Sequence, residues 1–250
     1  MKAIEAPKYF IFEESYTGNH EYFYNSDEYP EIKELEAHWQ VIAQEVLGII
    51  TDSELRKMSN INPPHLSNPN AWRNIYFYNF GWQTHKNCNR FPLTFALISK
   101  IPNLILCGVT VLEPNSKVLP HNGETNTTIR CHLGLKIPAP YPTCGVRVGN
   151  KERGWKEGRT LMFSDAHYHT TWNDSNEKRY ILVFDIVRKE YAEKRHSICA
   201  NSLGALTLKY LYSLNPKIKN LPPFIIKIAH KCFTIFWYLY LPVQQKFRLP

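Results

Sequence analysis

The stretch PHNGETNTTIRCHLGL, residues 120–135, decides how this chain is read, and FSDAHYHTTWNDSNEKR, residues 163–179, answers it downstream. Each places a histidine, His121 or His169, where a strand is expected to end, and each follows it with an arginine: Arg130 nine residues on, Arg179 ten. Imidazole is a common ligand for Fe(II) and its neighbours, and a small anionic chelator on such a metal needs a fixed cation for its far carboxylate. The two segments therefore predict a metal site with an anion clamp. In TIRCHLGL, side chains alternate with period two, so Arg130, His132 and Gly134 share one face while Ile129, Cys131, Leu133 and Leu135 share the other. The polar pair, about 7 Å apart along the strand, projects into a cavity, and the apolar set packs a core outside it. Burying an arginine costs several kcal/mol unless an anion meets it, so an inward Arg130 predicts a partner. Arg179, heading the apolar run YILVFDIV, has the same need.

Outward from these segments the pattern stays β. WRNIYFYNFGW from position 72 alternates like a half-buried strand, and residues 104–112, 127–137, 144–148 and 180–187 are β-prone runs between turn residues. Few helices are expected between 71 and 190, and an all-β jelly roll or barrel follows. Upstream, Pro30 suits a first helical turn, and Ile32, Leu35, Trp39, Ile42 and Val46 follow at steps of three and four, predicting one amphipathic helix that ends near Gly48. Residues 51–70, rich in Asn and Pro, predict a long irregular connection in which His65 is a solvated loop residue. The expected organisation is an N-terminal helical and irregular extension packed on the core (1–70), a β domain (71–190) and a helical tail (191–250).

A chain of 250 residues, 44% hydrophobic and 14% aromatic, can bury one substantial core. Its net charge of +8 is unevenly spread. Nine of the 30 Lys and Arg lie from Lys194 onward with no Asp or Glu among them, leaving 21 basic residues against all 22 acidic ones in the rest. Basicity is thus a property of the tail. Six cysteines without a CxxC pair argue against a zinc ribbon or a disulfide framework and for reduced thiols in the cytoplasm, and no secretory signal is recognisable.

The quoted run at 120–135, together with GWKEGRTLMFSDAHYHTTWNDSNEKRYILVFDI at 154–186, resembles the catalytic domain of the aspartyl/asparaginyl β-hydroxylases, a branch of the Fe(II)- and 2-oxoglutarate-dependent dioxygenases. The resemblance spans residues 71–187. It implies a double-stranded β-helix, cupin-like, with flanking helices. It implies Fe(II) on His121 and His169, with 2-oxoglutarate and O2 as co-reactants. Arg179 and Thr110 would hold the distal carboxylate of 2-oxoglutarate, Thr110 standing where the family commonly has serine. Arg130 and His132 would face the metal-proximal end of the cosubstrate or the substrate's carboxylate, and Trp72 would line the pocket. The implied reaction is hydroxylation of an unactivated C–H, foremost the β-carbon of an Asp- or Asn-type substrate. A membrane-lipid acyl chain and a non-catalytic cupin-like binding module are the alternatives.

The wider superfamily completes its metal site with His-x-Asp, whereas this chain has His-Asn-Gly, Gly123 standing at the Asp position. A water or Glu124 is the candidate third ligand, and Asp165 is read as a supporting residue. His167, two residues before His169, competes with it as ligand on alternation alone. The family's protein-directed members often carry an Arg where this chain has Thr128. In the tail, FIIKIAHKCFTIFWYLYLPV (residues 224–243) has a charge-free part of only 12 residues, short of a span, so an interfacial helix on an anionic membrane surface and a helix packed on the core are both open. Nucleic acid is an unlikely partner, because the tail aromatics cluster in an apolar run. The expected location is cytoplasmic, peripheral to the inner face of a membrane.

Overall fold

The computed structural model describes residues 4–12, 15–57 and 71–249, so of the irregular connection expected at 51–70 only residues 51–57 are described, where Asp52–Lys57 is instead helical, and the rest, with His65, lies outside the described residues. Among the described residues eleven strands form two sheets. They are β1 Phe23–Tyr24, β2 Trp72–Asn79, β3 Trp82–Gln83, β4 Leu104–Leu112, β5 Ser116–His121, β6 Thr128–Lys136, β7 Cys144–Val148, β8 Lys151–Arg153, β9 Thr160–Phe163, β10 His169–Asn173 and β11 Arg179–Val187. One sheet has seven strands in the order β1-β9-β6-β11-β4-β2-β3, the other four in the order β5-β10-β7-β8. Every paired strand neighbour is antiparallel, and from β4 to β11 the chain alternates between the sheets strand by strand, except that β7 and β8 lie together in the smaller one. That winding, β4-β11-β6-β9 facing β5-β10-β7-β8, is the double-stranded β-helix.

Alternation along β6 falls as its sequence dictates. Ile129, Cys131, Leu133 and Leu135 join Cys107, Val109 and Val111 of β4 and Leu182 and Phe184 of β11 on the outer face of the larger sheet. Helices α1 Pro30–Ala37, α2 Trp39–Ile49, α4 His85–Arg90 and α5 Pro92–Ile98 cover that face with Ile32, Leu35, Ile42, Val46, Cys88 and Ile98; α3, Asp52–Lys57, follows α2. Between the sheets, Cys144, Val146 and Val148 meet Phe163, Ile181 and Trp155. The tail forms two helices, α6 Arg195–Leu214 and α7 Pro223–Phe247, whose Ile198, Cys199, Leu203 and Leu241 pack on Phe80, Leu106, Val183 and Val187.

One local expectation changes. The helix expected to run from Pro30 to near Gly48 is broken at His38, because the His38 Nδ1 donates to the Glu34 carbonyl at 2.8 Å and its backbone N–H turns to Leu35. That takes the acceptor an unbroken helix would use. Between β3 and β4 the two short helices α4 and α5, among the few helices expected there, lie across the outer face. Phe91 between them is fully buried, and Pro92 opens the second. Their apolar residues sit in a stretch too short for a clear helical period.

Candidate active site

The ends of β5 and β10 carry the two histidines. His121 and His169 are direct partners in the antiparallel pairing, and their ring centroids lie 4.3 Å apart. A register irregularity follows His169. His121 Nδ1 donates to the Leu119 carbonyl at 2.8 Å and His169 Nδ1 to the His167 carbonyl at 3.0 Å. Holding the proton on Nδ1 makes Nε2 the lone-pair nitrogen of both rings, which is the tautomer a metal ligand needs. His167 is turned elsewhere: its Nε2 donates to the His20 carbonyl at 2.9 Å, and Tyr16 and Tyr22 meet its ring edge-on. Among the described residues no group of three or more His, Cys, Asp or Glu is arranged to hold a metal. Glu124 is engaged by Lys209 of α6 at 2.6 Å.

Gly123 and Asp165 explain the departure from His-x-Asp. A Cβ built on Gly123 would collide with Asp165 Oδ2, and the Gly123 N–H donates to the Asp165 carbonyl at 2.7 Å. The glycine thus admits the carboxylate of Asp165 into the place its own side chain would fill. Arg130 holds that carboxylate from behind, with Nη2 3.0 Å from Asp165 Oδ2, while Nε and Nη2 grip both oxygens of Asp185 at 2.9 and 2.8 Å. The partner demanded by an inward Arg130 is therefore supplied by the chain itself. Asp185 is its register neighbour on β11, the one acid in an otherwise apolar strand. Two buried carboxylates crowd one guanidinium: burial holds both above the usual Asp value, and Arg130 offsets that only in part.

Arg179, at the head of β11, has no such partner. It is 2% exposed, and neither its Nε nor its Nη1 has a hydrogen-bond acceptor among the described residues. Desolvation pulls its pKa down to about 10. Trp155 lies under it, with the guanidinium carbon 4.3 Å from the ring centroid, a cation–π contact that offsets part of the penalty without satisfying the N–H groups. The same indole stacks on His132, centroids 6.0 Å apart, and His132 Nδ1 is likewise buried without a partner. Burial and the flanking Arg130 and Arg179 hold His132 neutral, its pKa well below the ordinary value.

Register places the remaining candidates. Trp72, Leu112 and Arg179 form one row across β2, β4 and β11, and Asn74, Thr110 and Ile181 form the next on the same face. Trp72 is half-buried with its ring 6.4 Å from that of His121. Thr110 is buried one diagonal step from Arg179. Two neighbours escaped the sequence reading. Trp155 stood in the quoted GWKEGR string without a role, and Asn74, buried with neither amide atom partnered among the described residues, stood in a run read only for its alternation.

The donor set fits a divalent metal with a chelating keto-diacid. Each imidazole, with its Nδ1 donating to a carbonyl, can offer Nε2 to a metal, and the charges of Arg130 and Arg179 offset those of Asp165 and Asp185. A divalent cation and a dianion can therefore enter together without leaving net charge in a low-dielectric interior. The orphaned guanidinium of Arg179 is the acceptor-seeking end, and the histidine pair is the metal-seeking end.

Comparison with known proteins agrees with this geometry. A family model described as aspartyl/asparaginyl beta-hydroxylase matches residues 36–189. The ornithine lipid ester-linked acyl 2-hydroxylase of Rhizobium tropici is 30% identical over 66% of this chain and 60% of its own length. The human aspartyl/asparaginyl beta-hydroxylase is 29% identical over 68% of this chain, which spans only 23% of that protein. Among solved structures, the viral collagen prolyl hydroxylase vCPH of Paramecium bursaria Chlorella virus-1 in its 2OG complex gives a TM-score of 0.38 at 11% identity, over 59% of this chain and 90% of that one; so slight a likeness carries no argument here. With the family model covering most of the described chain and the β-helix wound as above, this chain belongs to the aspartyl/asparaginyl β-hydroxylase family.

Proposed function

We propose that the chain is an Fe(II)- and 2-oxoglutarate-dependent hydroxylase of an unactivated C–H. The observation that carries this is Arg179: a guanidinium buried with two unpartnered N–H groups inside the same barrel that pairs His121 with His169. In this reading His121 and His169 hold the iron, and Arg179 with the Thr110 hydroxyl receives the distal carboxylate of 2-oxoglutarate. His132 and Trp72 line the cosubstrate, Trp155 fixes the Arg179 plane, and Arg130 keeps Asp165 beside the metal position, where a carboxylate can accept from a bound water. Iron and 2-oxoglutarate supply the oxidising chemistry, in which the cosubstrate becomes succinate and CO2 while one atom of O2 goes to the substrate carbon. The protein's own work is to orient the C–H, exclude water and keep adjacent metal positions open.

For the substrate, an Arg130 already bound to two carboxylates favours a neutral chain over an acidic residue. Its Nε and Nη2 are taken by Asp185 and Asp165, and Thr128 stands where protein-directed relatives often have a second arginine. An acyl chain, as named for the Rhizobium relative, fits such a pocket. An Asp- or Asn-type substrate is the second reading, favoured by Gly123 at the Asp position of His-x-Asp, since the branch this chain resembles also lacks that carboxylate. The test is incubation with Fe(II), ascorbate and 2-oxoglutarate against lipid extracts, Asp and Asn peptides and free amino acids, following succinate and a mass gain of one oxygen. Substrate-stimulated succinate matched by oxygen incorporation is expected. Succinate no higher than in a metal-free control, whatever the substrate, would overturn the proposal.

A further inference from the structure

Helix α7 is apolar on the wrong side. Its inner row (Ile226, His230, Trp237, Leu241 and Gln244) faces the protein: His230 Nε2 donates to the Asn201 carbonyl at 3.0 Å, Trp237 Nε1 to Thr207 Oγ1 at 2.9 Å, and Gln244 Nε2 to the Gln83 carbonyl at 2.8 Å. A helix with one face buried normally turns polar residues outward. Here the opposite face carries Phe224, Ile228, Ile235 and Leu239, exposed by 62, 59, 53 and 67%, with Ile225, Phe236, Val243 and Phe247 beside them. The patch continues round the α6–α7 turn through exposed Leu214 and Leu221. Apolar surface this continuous marks an interaction site.

Charge identifies the occupant. Lys217 and Lys219 stand exposed in that turn, Lys227 and Lys231 lie one turn apart on a single flank of the apolar row, and Lys246 and Arg248 close its far end. No Asp or Glu occurs from residue 194 onward. A second copy docked on this face would set like charge against like, whereas an anionic lipid leaflet meets both the apolar row and its cationic rim. By length and composition α7 could cross a membrane, with only 11% of its apolar window buried. Its bonds to Asn201, Thr207 and Gln83 tie it to the protein along its whole length, however, and that geometry suits a helix lying in the interface.

We propose that the outer face of α7 and the α6–α7 turn form a docking surface for an anionic bilayer. Docking is independent of iron and cosubstrate, so it stands or falls apart from the hydroxylase reading. The experiment is co-sedimentation of the full chain with phosphatidylcholine vesicles, alone or mixed with phosphatidylglycerol. Wild type should partition onto the mixed vesicles, and high salt should weaken this. The triple variant I228S/I235S/L239S removes three exposed side chains and should keep the wild-type melting temperature while losing partitioning by at least about a hundredfold. The K217E/K219E variant should lose the preference for anionic lipid, roughly fivefold for each charge removed. Failure of wild type to bind mixed vesicles, unchanged binding by the triple variant, or a dimer in sedimentation analysis that the triple variant abolishes would each overturn the proposal.

Discussion

Replacing Arg179 with methionine separates what this side chain does for the fold from what it does for a ligand. Its fall from 12.5 to about 10 on burial corresponds to roughly 3 kcal/mol against the charged form. Methionine occupies comparable space, keeps contact with Trp155 and needs no acceptor. The ligand-free variant should therefore melt no lower than wild type, and higher by up to the equivalent of that ~3 kcal/mol. Binding should move the other way. Two charge-assisted hydrogen bonds to a carboxylate are worth about 1.5–3 kcal/mol each, so 2-oxoglutarate affinity should fall by roughly a hundredfold to ten-thousandfold. Differential scanning calorimetry gives the first quantity. Anaerobic titration with 2-oxoglutarate in the presence of Mn(II), read through tryptophan fluorescence, gives the second. A variant that loses several kcal/mol of ligand-free stability yet binds 2-oxoglutarate normally would show that Arg179 is a structural ion, and the clamp reading would be wrong.

Gly123→Ala should damage the site without touching either histidine: its Cβ displaces Asp165 from Arg130, a loss of about 1.5–3 kcal/mol in stability, and denaturant unfolding should show it. Stability should also depend on acid through His20, whose pKa is lowered to about 4, first by burial and then by Arg188. The unfolded chain takes up this proton near pH 6.5 and the folded chain does not, so the contribution is present above about 6.5 and is lost as pH falls toward 4. Melting temperatures across that window should decline for wild type and decline less steeply for His20→Gln.

Much of this architecture can be read from sequence because β alternation is a local property. Ile129, Cys131, Leu133 and Leu135 fall on one face whatever lies around them, and the spacing of His121 and His169 from strand ends is enough to suggest a shared site. What cannot be read is who meets whom across the barrel. Asp185 looked like an interruption in YILVFDIV, and only the β6–β11 register turns it into the partner of Arg130. Asp165 was read as a supporting residue, but what it supports shows only where the missing Cβ of Gly123 gives its carboxylate room beside Arg130. Trp155 is far in sequence from both groups it touches. In the tail, the basic and aromatic composition was plain, but which face of α7 stays exposed depends on α6 and β3. Helices α4 and α5 could not be placed from sequence because their burial pattern comes from the sheet they cover.

The account rests on two histidines and one keto-diacid sharing a single iron, and the visible charge-transfer absorption of 2-oxoglutarate chelated to Fe(II) under anaerobic conditions reports that arrangement directly. Wild type should develop the band only when metal and 2-oxoglutarate are both present, and His121→Ala and His169→Ala should each abolish it while retaining the wild-type circular dichroism. A band that persists in either variant, or its absence from folded wild type at saturating metal and cosubstrate, would contradict the account.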